Sequence, residues 1–512
     1  MTDFPWLTAL IVLPLVGAVV TAVLPRVPGA ALPKQVALGF SLATLVLAGI
    51  VAASYDVGAG MQLEEIHPWI EAFGVHYAVG VDGLGLMMVL LTAFLVPVVI
   101  GASWHDADTR NTNAFFAWIL ALQGLAILVF TATDVFLFYV AFEATLIPAY
   151  FLIGGFGGLG RARAAVKFLI YMLLGGLVML AAVIGLYVVS AQAGQPTYLL
   201  AELAEIGIST EAQRWLFVGF FFAFAIKAPL FPVHTWLADT TAAATPGTSV
   251  LLVCVLDKIG TFGMLRFCLG LFPEASQWAT PVVVALALIS IVYGALVAIG
   301  QDNMLRLIGL TSLSHFGFIV LGIFVFSTQG GTGAILYMVN HGLATAALFL
   351  VAGYLIRRRG SALISDFGGV EKVAPVMAGT FLIGGLATAG LPGLSPFISE
   401  FLVLVAAFGY AWWAGAIAVT GIVLAAIYVL WMYQRTMTGP SRPETAALPD
   451  LNLREVLAVA PVLVALVFFG FFPKPLTDVI NPSVETTLTY VGVTDAPPVV
   501  ESGPLSTEGG DQ

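Results

Sequence analysis

The sequence predicts an all-α integral membrane protein of about fourteen transmembrane helices, two of them broken. Sixty per cent of the 512 residues are hydrophobic and only 9% are charged, which is typical of a polytopic membrane protein with little chain in water. Apolar runs of about 18 to 25 residues follow one another along the chain, and each is long enough to cross a bilayer. Lysine and arginine recur in every second loop between these runs.

The first apolar run, which begins near Pro5, is expected to be a membrane helix and not a signal peptide, because no basic region precedes it. The predicted spans then follow in order. They cover approximately residues 5–25, 31–53, 82–103, 112–131, 134–154, 164–190, 215–236, 247–270, 279–299, 303–326, 332–355, 373–408, 412–434 and 453–473. The twelfth run is too long for one straight helix.

Prolines interrupt the seventh and the twelfth spans. In the seventh, Lys227 lies in the middle of the run and is followed by Pro229 and Pro232. Because proline lacks a backbone N–H and clashes with the preceding turn, the helix is expected to break just after the lysine. The twelfth span carries GLPGLSPF at residues 390–397, which predicts a second break.

The two broken helices lie five spans apart, which predicts two five-helix repeats, at about residues 112–270 and 279–434. Because five is odd, the repeats are expected to have inverted topology. Both belong to one membrane domain, residues 1–474. Residues 475–512 are rich in Pro, Thr, Ser, Gly and acid, and are predicted to be a disordered acidic tail without a site.

The positive charges predict the orientation. Fourteen of the nineteen Lys and Arg residues lie in odd-numbered loops, whereas Arg214, Arg266 and Lys474 lie at the other side. Since such residues stay cytoplasmic, both termini are expected outside the cytoplasm, in a bacterial cytoplasmic membrane. The net charge of −10 reflects acids in a few loops and the tail, so it indicates topology and no nucleic-acid partner.

Four ionisable residues fall at depths where lipid is expected: Glu143, Lys227, Lys258 and Glu400. A charged group at the bilayer centre costs at least about 2.5 kcal/mol, so each is a candidate functional residue. Each residue can instead have a purely structural role. Glu143 would then be a buried carboxyl hydrogen-bonded to a tyrosine, and Lys258 would form a local ion pair with Asp257. Asp257 can instead serve a neighbouring helix.

Three histidines and a third lysine extend this set. His315 and His341 each have a hydroxyl residue at i,i+4 spacing, although single buried histidines are often plain core residues. His234 follows the proline break and is either an access residue or a capping histidine. Lys167 either reaches inward or is an ordinary positive-inside anchor. Acids, lysines and histidines in a buried row can pass protons, if water or hydroxyls bridge the gaps.

Three motifs carry a resemblance to a known family: KAPLFPVHTWLAD at residues 227–239, FYVAFEATLIP at 138–148 and LTSLSHFGF at 310–318. On these motifs, residues 81–408 resemble the antiporter-like membrane subunits of respiratory complex I. The resemblance implies proton translocation within NADH:quinone oxidoreductase, driven by quinone reduction elsewhere in the complex. It also implies no cofactor in this chain, and as partners the other membrane-arm subunits, the lipid bilayer, protons and water.

The resemblance further implies residue roles. Glu143 and Lys227 would form a gating charge pair, Lys258 the central protonatable site, His315 and His341 the links, and Glu400 the exit group. Within the family, an acid at the position of Glu400 is typical of the M-type subunits, whereas the other types usually carry lysine.

Two departures from the family pattern stand out. The chain reads TTAAATPGTS at residues 240–249 where the family usually has HTEAPTAGS, and it has Asp257 where an apolar residue is usual. Whatever role the missing loop histidine and glutamate play elsewhere does not transfer here. Asp257 is therefore expected to alter the surroundings of Lys258.

Two other functions fit the sequence less well. A subunit of a multisubunit sodium/proton antiporter or of a membrane-bound hydrogenase would share the same helices. A haem-carrying membrane oxidoreductase would use His315 and His341 as axial ligands. The sequence carries no cysteine cluster, no glycine fingerprint for a dinucleotide and no metal-ligand spacing among its six histidines.

Overall fold

The computed structural model describes residues 4–27 and 29–493. Helices dominate it. The helices of the first half are α1 Trp6–Val23, α2 Ala31–Ser54, α3 Gly83–Ala102, α4 Thr112–Thr131, α5 Val135–Ala144, α6 Leu146–Phe156, α7 Arg161–Gln192, α8 Leu200–Glu205, α9 Thr210–Lys227, α10 Thr235–Ala243, α11 Pro246–Val250 and α12 Lys258–Gly263. Those of the second half are α13 Pro273–Ile299, α14 Met304–Phe324, α15 Thr328–Arg359, α16 Pro375–Thr388, α17 Ser395–Tyr410, α18 Trp412–Met437, α19 Leu453–Phe471 and α20 Lys474–Val491.

Among the described residues, twelve helical segments are long and apolar enough to cross a membrane. The two remaining predicted spans are the interrupted segments α9–α10 and α16–α17. The helical membrane fold predicted from composition is thus confirmed. The count of fourteen and the inverted repeats stay predictions.

The first break lies where the prolines predict it. Helix α9 ends at Lys227, and α10 begins at Thr235. The break frees carbonyl groups that would be costly to leave unpaired at this depth. One is capped by the Trp236 indole N–H, which donates to the Ile226 carbonyl at 3.0 Å. The interruption is therefore a hydrogen-bonded structure inside the protein.

The second break separates α16 from α17, between Thr388 and Ser395. Gly390 lies there with φ of +68°, a left-handed conformation that glycine adopts without a Cβ penalty. Leu391 then donates its backbone N–H to the Leu386 carbonyl at 3.0 Å, which closes the end of α16. This confirms the predicted break in the twelfth span.

A β-hairpin between α2 and α3 was not predicted. Its strands are β1 Gln62–Ile70 and β2 Val75–Val81, paired antiparallel with His67 opposite Tyr77. The backbone N–H of His76 donates to Asp134 at 2.9 Å, which fixes the hairpin to the start of α5. Because β1 carries two glutamates and a proline, it resembles a polar loop in sequence.

Helix α20 corrects the predicted boundary of the tail. Residues 475–491 are helical, although the whole stretch 475–512 was expected to be disordered. The physical reason is an apolar face at four-residue spacing, since Leu476, Ile480, Val484 and Leu488 are all buried. The rest of the predicted tail, residues 494–512, lies outside the described residues.

Loops that carry the positive charges contact one another at one end of the bundle. Ion pairs join Lys34 to Asp108, Arg357 to Asp106 and Arg435 to Asp302. Each pair links two different odd-numbered loops, so these loops share one face. The hairpin and the starts of α3 and α5 lie at the other face, which agrees with the alternation that the sequence predicts.

Arg266 is an exception to the charge alternation, and its contacts explain it. Its guanidinium binds both carboxylate oxygens of Asp82, at 2.9 and 2.6 Å. Asp82 also caps α3 by accepting from the Gly85 backbone N–H. Burial alone would raise the pKa of Asp82, but Arg266 and this cap hold that pKa below its usual value. Arg266 is thus neutralised locally.

Candidate functional site

Six predicted site residues form a buried set that we call the polar row: Glu143, Lys227, Lys258, His341, His315 and Glu400. Five of these side chains are at most 3% exposed, and Glu143 is partly buried. Ionisable groups are almost never buried this completely without partners. The contacts of each member therefore indicate what it can do.

Glu143 lies at a joint between two helices. Helix α5 ends at Ala144 and α6 begins at Leu146, because Pro148 has no N–H to donate to the Ala144 carbonyl. The Glu143 carboxyl rests against Gly176 of α7, where any Cβ would overlap it. Within the described chain, its buried Oε1 has no hydrogen-bond partner. The carboxyl therefore has an unused acceptor that faces the protein interior.

Lys227, the last residue of α9, points at the same joint. Its Nζ donates to Thr145 Oγ1 at 3.2 Å and lies 4.6 Å from the centre of the Phe142 ring. Among the described residues, no Glu143 oxygen is within ion-pair distance of this Nζ. Lys227 nevertheless contacts Phe142 and Thr145, which lie just before and just after Glu143 in the chain. The expected Glu143–Lys227 pair is therefore near but not closed in this conformation.

Lys258 makes the most direct contact in the polar row. Its Nζ lies 2.6 Å from His341 Nδ1 and 4.3 Å from the centre of the Phe316 ring. If the ammonium donates, His341 accepts at Nδ1 and carries its own proton on Nε2. That Nε2 is buried without a partner in the described part of the chain. The contact joins α12 to α15 and thus the two halves of the protein.

His315 continues the polar row beside His341. The two rings meet edge to face with centroids 5.1 Å apart. His315 Nε2 lies 3.2 Å from the Tyr428 hydroxyl, and the Tyr337 ring is 5.9 Å away. The histidines are therefore neighbours, but no hydrogen bond joins them directly in the described structure.

Glu400 lies on α17, just past the second break. The Tyr337 hydroxyl donates to its Oε1 at 2.5 Å. The carboxyl rests on Gly390 in the break, where a Cβ would overlap it. Tyr337 and Tyr428 were not among the predicted site residues, although Tyr337 lies one helical turn before His341. Their contacts arise only from packing between distant helices.

Asp257 lies between two π-helical turns, Leu251–Leu256 and Met264–Leu269. Its backbone N–H donates to the Leu252 carbonyl at 2.9 Å, five residues earlier, as a π-helical turn requires. The local ion pair with Lys258, which the sequence left open as an alternative, is not formed among the described residues, where Lys258 contacts His341. Its buried Oδ2 has no hydrogen-bond partner there either.

Lys167 and His234 lie apart from the polar row. Lys167 Nζ binds Asp239 at 2.6 Å, and Arg306 binds the other oxygen of the same carboxylate at 2.5 Å. These side chains are about one-third exposed, so they form a surface ion cluster. His234 is buried against Tyr293, with ring centroids 5.3 Å apart. Of the two interpretations of Lys167, the structure favours the surface anchor.

Comparison with known proteins identifies the family. Residues 132–425 match the family described as NADH:quinone oxidoreductase/Mrp antiporter, TM. NADH-quinone oxidoreductase subunit M of Mycobacterium tuberculosis is 50% identical, over 98% of this chain and 97% of that protein. A chain in the structure of respiratory complex I from Thermus thermophilus with bound NADH is 32% identical, with a TM-score of 0.87. That match covers 95% of this chain and all of the other.

A more distant structure shares the fold alone. A chain of the Mrp complex from Dietzia sp. DQ12-45-1b is 21% identical, with a TM-score of 0.82 over 95% of this chain and all of the other. The M subunits are thus more similar in sequence than this antiporter chain. The chain belongs to the NADH:quinone oxidoreductase/Mrp antiporter transmembrane family, and within it to the NADH-quinone oxidoreductase M subunits.

Proposed function

We propose that this chain is a proton-translocating membrane subunit of NADH:quinone oxidoreductase and that the polar row carries the protons. The observation that carries the proposal is the 2.6 Å contact between Lys258 and His341. It joins buried ionisable groups of the two halves, where a membrane protein would normally have apolar side chains. Similarity to M subunits over nearly the full length supports the same function.

The route runs from Glu143 and Lys227 to Lys258, then through His341 and His315 toward Glu400. Lys227 changes partners between Thr145 and Glu143 as the charge pair opens and closes. Tyr337 supplies the hydroxyl next to Glu400. Each member accepts a proton at one step and releases it at another, and water in the broken helices bridges the gaps.

In this proposal the chain is the translocating part of the enzyme and holds no redox cofactor. Quinone reduction elsewhere in the complex drives it, and the neighbouring membrane-arm subunits are its partners. The chain lies in a bacterial cytoplasmic membrane with its positive loops inside and both termini outside.

The orientation has a direct test. Leu159 and Ala59 lie in exposed loops at opposite faces, and the native Cys254 and Cys268 are buried. A membrane-impermeant maleimide added to intact cells should label Ala59→Cys and leave Leu159→Cys unlabelled until the cells are opened. The reverse labelling would show that the orientation is inverted.

An antiporter subunit remains the nearest alternative, since the Mrp chain has the same fold. Copurification of this chain with antiporter subunits, and without an NADH-oxidising arm, would favour that function. A haem site is disfavoured by geometry, because rings with centroids 5.1 Å apart leave no room for a porphyrin between them. A Soret band that follows the concentration of the purified chain would contradict this conclusion.

The proposed function is tested by three variants of the complex: Glu143→Gln, Lys227→Ala and Lys258→Ala. Each removes a proton carrier, so NADH-driven proton pumping in inverted membrane vesicles should fall by at least about tenfold. Loss of a proton-transfer group typically costs about 10²–10⁴-fold in rate, but the expected loss is smaller here because water can substitute in part. Assembly, followed by native electrophoresis, should be intact. Normal pumping in all three assembled variants would refute the proposal.

A further inference from the structure

Asp257 is a buried carboxyl that the proposed route does not use. Its side chain is 1% exposed, and within the described residues its Oδ2 has no hydrogen-bond partner. Buried polar atoms are nearly always hydrogen-bonded, so an unpaired carboxyl oxygen requires an explanation. Its position between two lysines of the polar row provides one.

The packing of α12 directs Asp257 toward Lys227. Gly260 lies against the end of α9, where a Cβ on Gly260 would be 2.5 Å from the Ala228 nitrogen. Asp257 is three residues before Gly260 and therefore shares this helix face. The residue before Ala228 is Lys227, the last residue of α9. The carboxyl thus lies on the Lys227 side of the helix.

Lys258 points in a different direction. Successive residues of a helix are about 100° apart, and the Lys258 side chain contacts His341 of α15. Asp257 therefore faces the first half of the polar row, while Lys258 faces the second. The two halves of the polar row therefore meet at one helical turn, at the adjacent residues Asp257 and Lys258.

The π-helical turns beside Asp257 favour a functional role. A π-helical turn places one extra residue in the helix, is rare, and frequently occurs at functional sites. Here such turns lie directly before Asp257 and shortly after Lys258, at residues 251–256 and 264–269.

We propose that Asp257 carries the proton between Lys227 and Lys258, as a step of the proposed function on which this inference rests. The Lys227 ammonium gives its proton to the Asp257 carboxylate, which leaves a neutral amine and a neutral carboxyl. The carboxyl then gives the proton to the neutral Lys258 amine. This regenerates the carboxylate and an ammonium, with water bridging either gap.

Few ionisable groups act on Asp257, which makes the step testable by pH. They are Lys227 of α9, Lys258 beside it and Cys254 one turn earlier. Helix α4 packs against α12, and α3 and α15 pack against the π-helical turn 251–256. Helices α3 and α4 contain no ionisable side chain, whereas α15 contributes His341, which contacts Lys258. A change of the acid at this position should therefore change the pH profile of pumping directly.

The test uses Asp257→Asn and Asp257→Glu in the intact complex, with Cys268→Ser as a control. Asparagine keeps the size and polarity of the side chain but carries no transferable acid proton. NADH-driven pumping by Asp257→Asn should fall by about tenfold or more, by the same reasoning as for the lysines. Asp257→Glu should restore pumping with a shifted pH profile. Cys268→Ser, a buried change on the same helix, should pump normally.

The outcomes separate this inference from the proposed function. Normal pumping and an unchanged pH profile in Asp257→Asn, while Lys227→Ala and Lys258→Ala are inactive, would overturn the inference alone. Normal pumping in the lysine variants would overturn the proposed function itself. If Asp257→Asn does not assemble, the glutamate variant decides: a shifted pH profile supports the step, and the wild-type profile overturns it.

Discussion

Each acid of the polar row rests on a glycine. The Glu143 carboxyl lies against Gly176, and the Glu400 carboxyl lies against Gly390. Placing a carboxyl against backbone requires a residue without a Cβ, so these glycines form part of the site. The sequence predicts both acids from their depth in the membrane. It does not reveal the glycines, because their function depends on contacts between helices.

Side-chain partners were the least predictable part of the site. Lys227 binds Thr145, and Glu400 binds Tyr337, across 82 and 63 residues of sequence. Composition and depth indicate which residues are ionisable and buried. Tertiary packing decides which hydroxyl each of them meets, and no local pattern encodes it.

Two aspartates of one loop should respond to pH in opposite directions. Burial raises the pKa of Asp106 in spite of Arg357. For Asp108, burial also opposes ionisation, but hydrogen bonds from Lys34 and His105 hold its pKa below the usual value. A raised pKa favours the folded state at low pH, and this contribution is lost as pH rises through the raised pKa. A lowered pKa stabilises the folded state at pH values above the unfolded-state pKa, and this contribution is lost as pH falls through the lowered pKa.

Thermal unfolding of the complex as a function of pH checks this prediction. The stability difference between wild type and Asp106→Asn should shrink as pH rises above about 3.9, the ordinary pKa of aspartate. The difference for Asp108→Asn should instead grow as pH rises through the acidic range toward that value. Parallel curves for the two variants would contradict these assignments.

At the scale of elements, features with a strong local sequence signal were predicted, and features with a weak signal were missed. Pro229 and Pro232 identify the break after Lys227, because proline removes a donor wherever it occurs. The π-helical turns around Lys258 have no comparable sequence signal. The hairpin and α20 lie in polar stretches whose composition is typical of loops. A few buried apolar residues in each stabilise regular structure there.

The contact between Glu143 of α5 and Gly176 of α7 yields a prediction about Gly176→Ala. The added methyl group would overlap the Glu143 carboxyl, so the carboxyl or the helix must move. Pumping should fall by up to about 100-fold, as displacement of a reacting group by about 1 Å can cause. Dye-quench assays on inverted vesicles measure this.

Gly155→Ala is the matched control for this change. Gly155 also lies in a helix of the first half, and a Cβ there would meet nothing within 4 Å. Both changes raise helix propensity by a similar amount, about 0.8–1.0 kcal/mol. Equal pumping by the two variants would mean that the position of the Glu143 carboxyl is unimportant.

At the scale of the whole molecule, two halves with broken helices meet at one turn of α12. Lys258 contacts His341 of the second half there, and Gly260 packs against the end of α9 in the first half, next to Lys227. Odd-numbered loops gather at one face through ion pairs, as the charge alternation predicts. The sequence predicted that Lys258 is buried, but it did not predict that the two halves meet there.

The most direct measurement is a double-mutant cycle across the Lys258–His341 contact in the purified, reconstituted complex. Protons pumped per NADH oxidised are measured for Lys258→Met, for His341→Gln and for the combination. If both residues act in one transfer step, each single change lowers the ratio and the double change lowers it no further than the more severe single change. Independent, multiplying effects, or a normal ratio in both single variants, would contradict a proton route through this contact.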